Sequence, residues 1–381
     1  MTAGTTTASV GARSPGRLAV RFGGGAVVGE VEFRAPVVAP AADLLVPLAL
    51  LPAMVTTDRL RLQDPVSPRL LEAVPAATEV LTTFDRYAWG LGLRPVVVEA
   101  EARVPEPSAS GRGVACFFSG GVDSTFTVRS CRKELTALVF VHGFDVALAD
   151  APLRQAVSSR LRAAADALGL PLVEVETDLR RLSDPLLPWG TYHGAALAAV
   201  AHLLAPLADT FVVPASDTYA TLSAHGSHPL LDPLWSSEAV AVAHHGCEAS
   251  RIDKVRSFGE EDAGPDPLSW LRVCWRNPGG AYNCGRCAKC VSTMVALRLA
   301  GLLDRAPTFP PTLDLARVAA LDLSSPGSVL LWSRYLADLE ASGEDHALAR
   351  AIRIALSTRR AHPAWRSLKR GVARARRAVP R

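Results

Sequence analysis

The sequence predicts an α/β protein built on a doubly wound parallel sheet, with a β-rich N-terminal domain before it and a helical region after it. Three features carry that expectation. Beyond residue 113, short apolar runs alternate with longer segments of helical period. Before residue 104, apolar and polar residues alternate with the two-residue period of half-buried strands. Between them, Pro105 to Gly113 is rich in Pro, Ser and Gly and reads as a linker.

Along the chain, residues 1–16 are small and polar and are expected to be a disordered tail. Residues 17–104 form the β-rich domain. It opens on a hairpin of Leu18 to Phe22, a turn at Gly23, Gly24 and Gly25, and Val27 to Phe33. Strand residues come after those glycines, which excludes a dinucleotide-binding fingerprint. Residues 113–300 carry the parallel sheet. Its strands are expected at Val114–Phe118, Ala137–Val141, Leu172–Val175, Thr210–Val213 and Ala239–Ala243. Helices are expected over Ser124–Glu134, Leu153–Leu168 and Tyr192–Leu207. Residues 301–381 read as helical and end in a basic tail, Ser367 to Arg381, expected to be solvated.

Composition narrows the class. A chain of 381 residues with 49% hydrophobic and 20% charged content is that of a soluble globular protein. A formal charge of +4 does not by itself argue for nucleic acid. The N-terminus lacks a signal-peptide core, and Pro, Asp or His breaks the most apolar stretches, near Val37–Val55 and Ala195–Ala208. A cytoplasmic location is therefore expected. Lys occurs only at 133, 254, 289 and 369, so 41 − 4 leaves 37 Arg.

The first chemical signal is the segment where Ala115-Cys116-Phe117-Phe118 runs into Ser119-Gly120-Gly121-Val122-Asp123-Ser124. Glycines let backbone N–H groups approach an anion, and the helix start after them adds free donors and a positive dipole end. The hydroxyls of Ser119 and Ser124 can donate to phosphate. Asp123 would repel phosphate, which suits it to Mg²⁺ bridging the phosphates. No Lys comes after the glycines, so this is not a Walker A loop, and no Gly precedes Ser119 by two, so it is not a nucleophile elbow.

The second signal is cysteine spacing. Seven Cys in a chain with no export signal argue against a disulfide framework. Four of them, Cys274, Cys284, Cys287 and Cys290, fall in a Cys-x₉-Cys-x₂-Cys-x₂-Cys arrangement. Four thiolates suit a closed, structural Zn²⁺ site, with an iron–sulfur cluster as the rival.

Ser-Gly-Gly-Val-Asp-Ser resembles the PP-loop of the N-type ATP pyrophosphatases. That resemblance implies an adenine nucleotide alpha hydrolase-like, Rossmann-like fold. It also implies an ATP-dependent carbon–nitrogen ligase that splits ATP to AMP and pyrophosphate, with ATP and Mg²⁺ held by Ser119, Gly120, Gly121, Val122, Asp123 and Ser124. Adenine would sit near Phe140 to Asp145. Within Ser250-Arg251-Ile252-Asp253-Lys254, Arg251 and Lys254 resemble contacts to the leaving pyrophosphate, although a helix-surface pair is the plain alternative. Asp123, Ser124 and Lys254 would thus carry the chemistry. The cysteine spacing is similar to the zinc site of the 7-cyano-7-deazaguanine synthases, which use ATP and ammonia to make an amide and then a nitrile. That likeness covers about residues 113–300; the long N-terminal region and the C-terminal helices depart from it.

The expected partners are a small-molecule or peptide acceptor and ammonia or an amine, without a membrane; nucleic acid, which is not favoured, and a homodimer are left open. Sulfur transfer, with Cys247 as carrier, and nucleotide binding without catalysis are the alternatives. Ser216 to Tyr219, His228 and Asp232 lie past the fourth strand and are candidate substrate contacts. His225 lacks a third ligand partner for a metal role. His193 reads as a cap or core residue, and Cys116 and Cys131 as buried apolar side chains.

Overall fold

The computed structural model of the chain describes residues 4–39, 42–103, 111–260, 264–323 and 326–358. Most of the linker and the basic tail lie outside them. Contacts divide the chain into two compact units, Met1–Trp275 and Arg276–Arg381.

The first unit is an α/β structure on one large mixed sheet. Strands β1 (Thr5–Ser14), β2 (Arg17–Gly23) and β3 (Gly29–Arg34) form an antiparallel meander. The expected hairpin is β2–β3, with Phe22 opposite Gly29. Helices α1 (Leu45–Thr56) and α2 (Pro68–Phe84) alternate with β4 (Arg59–Leu62) and β5 (Val97–Glu99), which extend the sheet in parallel beyond β1. The chain continues through β6 (Val114–Phe117), α3 (Val122–Ser130), β7 (Leu135–His142), α4 (Ala151–Leu168) and β8 (Leu172–Thr177). Next come α5 (Leu179–Ser183), α6 (Trp189–Leu203), β9 (Thr210–Pro214), β10 (Ala241–His245) and α7 (Arg251–Arg256).

All five strands expected after residue 113 form, and they pair in parallel. The order across the sheet is β10-β9-β6-β7-β8-β3-β2-β1-β4-β5. From β6 the chain winds outward to β7 and β8, then returns to β9 and β10 on the other side. The strand order therefore reverses between β6 and β9, the place beyond whose carboxyl ends ligands of such sheets bind.

Three expectations need correction. Residues 5–14 are a strand rather than a tail. The segment is rich in Thr and has almost no large apolar residue, so its hydrophobic signal is weak. It is nonetheless hydrogen-bonded on both edges, to β2 and β4, and Thr6 and Ala8 are buried. The Thr6 hydroxyl is satisfied by Thr57 Oγ1 at 3.0 Å. The region 17–104 is also not purely β-rich, since it contains α1 and α2. Finally, it shares its sheet with the strands beyond residue 113. β3 pairs antiparallel with β8, Phe33 against Thr177 and Arg34 against Glu176. One hydrophobic core runs from Ala8 to Val242.

Helix α1 shows why its sequence carries no helical period. Leu45 to Met54 are all buried, so no polar face marks the turn. Pro52 has no N–H to donate to Leu48, four residues back. Tyr192 on α6 replaces that donor, its hydroxyl meeting the Leu48 carbonyl at 2.7 Å.

The second unit is helical: α8 (Ala288–Leu299), α9 (Leu315–Ala319), α10 (Pro326–Ser342) and α11 (His346–Thr358), with α11 packed on α9 and α10. Among the described residues no helix is long and apolar enough to cross a membrane.

Candidate functional site

The loop Ser119–Ser124 leaves the end of β6 and enters α3, which places it at the reversal of strand order. Gly120 has φ +70°, and a side chain there would stand 2.9 Å from Leu161 Cδ2. Only glycine makes this turn without strain. The Gly120 carbonyl accepts from Arg272 N–H (2.8 Å), which fixes the turn from outside. The loop is also tied internally. Ser119 Oγ accepts from Gly121 N–H (3.3 Å), and Ser124 Oγ accepts from Ser119 N–H (3.3 Å) while donating to the Gly121 carbonyl (3.2 Å). The first turn of α3 closes with Thr125 N–H on the Gly121 carbonyl. As in any helix, the amides ahead of Thr125 have no carbonyl four residues back to bond.

The sequence signal at residues 250–254 resolves into a short helix aimed at this loop. Ser250 and Asp253 form a capping box that sets where α7 begins. Residues 251 and 254, three apart, share a helix face. Lys254 Nζ reaches Asp123 Oδ1 at 3.1 Å and the Ala215 carbonyl at 2.6 Å, and Arg251 Nη2 reaches Asp123 Oδ2 at 3.2 Å. The Lys254 side chain is 1% exposed and sits 5.6 Å from the Phe126 ring centre. Arg251 and Lys254 are therefore not a helix-surface pair. Both cations bear on the Asp123 carboxylate in a largely water-excluded setting, where electrostatic interactions are strong. Asp123 accordingly binds cations of the chain itself rather than standing ready for a metal.

Other candidates fall into four groups. Asp232 is fully buried and accepts from Ser227 Oγ (2.7 Å), His228 N–H (3.3 Å) and His244 Nδ1 (2.7 Å). His193 meets His225 in a tilted contact, ring centres 4.6 Å apart and planes at 60°, beside Trp189 and Phe144 past the sheet's carboxyl edge. Ser216 to Tyr219 is a turn pinned by Thr218–Thr221 and Asp217–Ser223 hydrogen bonds. Cys247 is buried, and burial raises its thiol above its ordinary pKa despite the neighbouring Lys254. Cys116 is likewise sealed in the core, while Cys131 is partly exposed.

Cys274, Cys284, Cys287 and Cys290 come together. Their sulfurs lie within 4.8 Å of one another, a set that could hold a metal such as zinc. Cys284 and Cys290 sulfurs are 3.9 Å apart, against about 3.8 Å for two ligands of one tetrahedral zinc. The local chain is shaped for thiolates. Cys284 Sγ accepts from the backbone N–H of Arg286 (3.4 Å) and Cys287 (3.3 Å). Cys287 Sγ caps α8 by accepting from Cys290 N–H (3.4 Å). Gly285, at φ +62° against Pro310, permits the turn between Cys284 and Cys287.

The sequence reading missed His244. It stands next to last in β10, at the carboxyl edge where ligands of such sheets bind, and that position was the available signal. Compared with family profiles, curated proteins and solved structures, the chain matches none.

Proposed function

We propose that this chain is an ATP-dependent ligase of the PP-loop class, with an adenine nucleotide alpha hydrolase-like sheet, that converts ATP to AMP and pyrophosphate. One observation carries the reading: the glycine turn after β6 sits at the strand-order reversal, with Lys254 and Arg251 converging on its Asp123. In this reading the loop amides, Ser119 and Ser124 hold the β- and γ-phosphates. Lys254 and Arg251 offset the charge that builds on departing pyrophosphate, the step where preorganised cations contribute most. Asp123 would hold Mg²⁺, which would supply positive charge to offset that of the phosphates. AMP makes an acceptor oxygen a good leaving group, and ammonia or an amine displaces it. The acceptor is a carboxylate or related oxygen on a small molecule or peptide, in keeping with the resemblance in motif to the 7-cyano-7-deazaguanine synthases.

The four-cysteine cluster serves as a structural zinc site in this scheme, because four sulfurs leave no open position for substrate. The buried, protonated Cys247 thiol favours nitrogen over sulfur transfer.

The test is product analysis with α- and γ-labelled ATP, Mg²⁺, ammonium chloride and a panel of soluble carboxylic acids. Acceptor-dependent AMP and pyrophosphate are expected; ADP and phosphate instead would overturn the mechanism.

A further inference from the structure

The geometry points to His244 as the proton acceptor for the attacking nitrogen, with Asp232 as its positioning residue; this rests on the ligase reading above. Asp232 is fully buried, and its two oxygens receive Ser227, His244 and the His228 amide. A carboxylate so placed can only accept, so His244 carries its proton on Nδ1 and presents a lone pair at Nε2. Nε2 bonds no described residue and is not among the sealed side-chain atoms.

The other buried histidines are arranged differently. His142 has Nε2 on Glu174 and a sealed Nδ1, and His202 has Nε2 on the Trp235 carbonyl and a sealed Nδ1. His228 accepts from Leu230 N–H at Nδ1 (3.1 Å), which leaves its proton on Nε2. Burial first, then His244, lowers His228 from its ordinary pKa, and it stays neutral beside the dyad; Asp217 and His225 complete the nearby ionisable groups.

The residues that flank His244 on β10 connect it to the phosphate site. The His245 carbonyl accepts from Ala215 N–H at 2.7 Å, and Ala215 in turn holds Lys254 through its own carbonyl. A side chain on Gly246, two residues past His244, would stand 3.6 Å from Lys254 Nζ. β10 is two strands from β6, about 10 Å at the usual strand spacing, which is the span of a small acceptor lying beside the nucleotide.

The step balances without another reactant. Ammonia's lone pair forms the carbon–nitrogen bond to the adenylated carbon. The carbon–oxygen bond to AMP breaks, and its electron pair leaves on the phosphate oxygen. The proton shed by nitrogen moves to His244 Nε2, and the resulting imidazolium is stabilised by Asp232 until water takes the proton. Asp232 keeps the ring in one tautomer and holds its orientation.

Asparagine at 244 tests this, since its amide can keep the Asp232 hydrogen bond while offering nothing at the Nε2 position. His244→Asn should fold and melt like the wild type. With the carboxylic acid that supports AMP release in the wild type, its ammonia-dependent product formation should fall about 100-fold or more. Hydroxylamine, largely uncharged at neutral pH, should restore AMP release, because the adenylation step is intact. Carbethoxylation of the folded wild type with diethyl pyrocarbonate should label His244. An unimpaired His244→Asn, or a His244 that labels only after unfolding, overturns this proposal alone. A wild type that forms no AMP with any acceptor overturns the ligase reading and this proposal with it.

Discussion

Lys254 is where a single residue decides most. It is one of four lysines in an arginine-rich chain, and its ammonium is buried against Asp123 and the Ala215 carbonyl. Lys254→Met should fold, because Arg251 still neutralises Asp123, and should lose pyrophosphate release by about 100-fold in a phosphate-coupled assay. Asp123→Ala is a poorer probe than the loop motif alone implies. It leaves a buried ammonium without its carboxylate, a loss of about 3–5 kcal/mol, so inactivity there would mix chemistry with unfolding. Glu174 makes a separate point about pH. Burial alone would raise its carboxyl, but hydrogen bonds from His142, Ser158 and Arg162 override this and hold it at about 2, against 4.5 for the free group. A depressed carboxyl stabilises the fold above its unfolded value, and that stabilisation is lost as pH falls through its folded one. Glu174→Gln should therefore melt lower than wild type at pH 6, and the gap should narrow between pH 4.5 and about 2. A gap independent of pH in thermal melts would contradict the assignment.

At the scale of elements, α1 and α6 depend on one hydroxyl. Tyr192→Phe leaves the Leu48 carbonyl, already deprived of a helix donor by Pro52, without a partner in the core. The expected cost is about 1–3 kcal/mol, read as a lower urea midpoint at unchanged slope. Elements with a local signature are legible in the amino-acid order. The β6 turn and α3 are marked by the glycines and the change of period, and α7 by Ser250 and Asp253. α1 is not legible, because a helix buried on every side has no amphipathic stripe. Nor is β1, whose threonines are ordered by strands on both edges instead of by their own hydrophobicity.

For the whole molecule, the four-cysteine cluster is the feature most open to direct assay. Purified chain should contain one zinc by elemental analysis. Cys287→Ser should lose it and give a lower melting temperature, and because the serine hydroxyl can still accept from Cys290 N–H and cap α8, that fall reports the metal. A variant that stays metal-replete and equally stable would rule out a structural role. The single ten-stranded sheet changes how the N-terminal region is understood. Its strands continue the parallel sheet through β3 and β8, so deletion of residues 1–104 would expose the edge of β8 and the core face of α6 rather than release a separate domain.

Local chemistry is written in the chain itself: the glycine turn, the cysteine spacing and the five parallel strands each need only neighbours in sequence to be recognised. Tertiary structure alone decided what came from afar. It brought Lys254 to Asp123 across 131 positions, Phe33 to Thr177, and Asp232 to His244 near the carboxyl end of β10. The physical reason is that ion pairs, strand pairing and proton relays are satisfied by proximity in space. A sequence specifies that proximity only through the packing of the whole core.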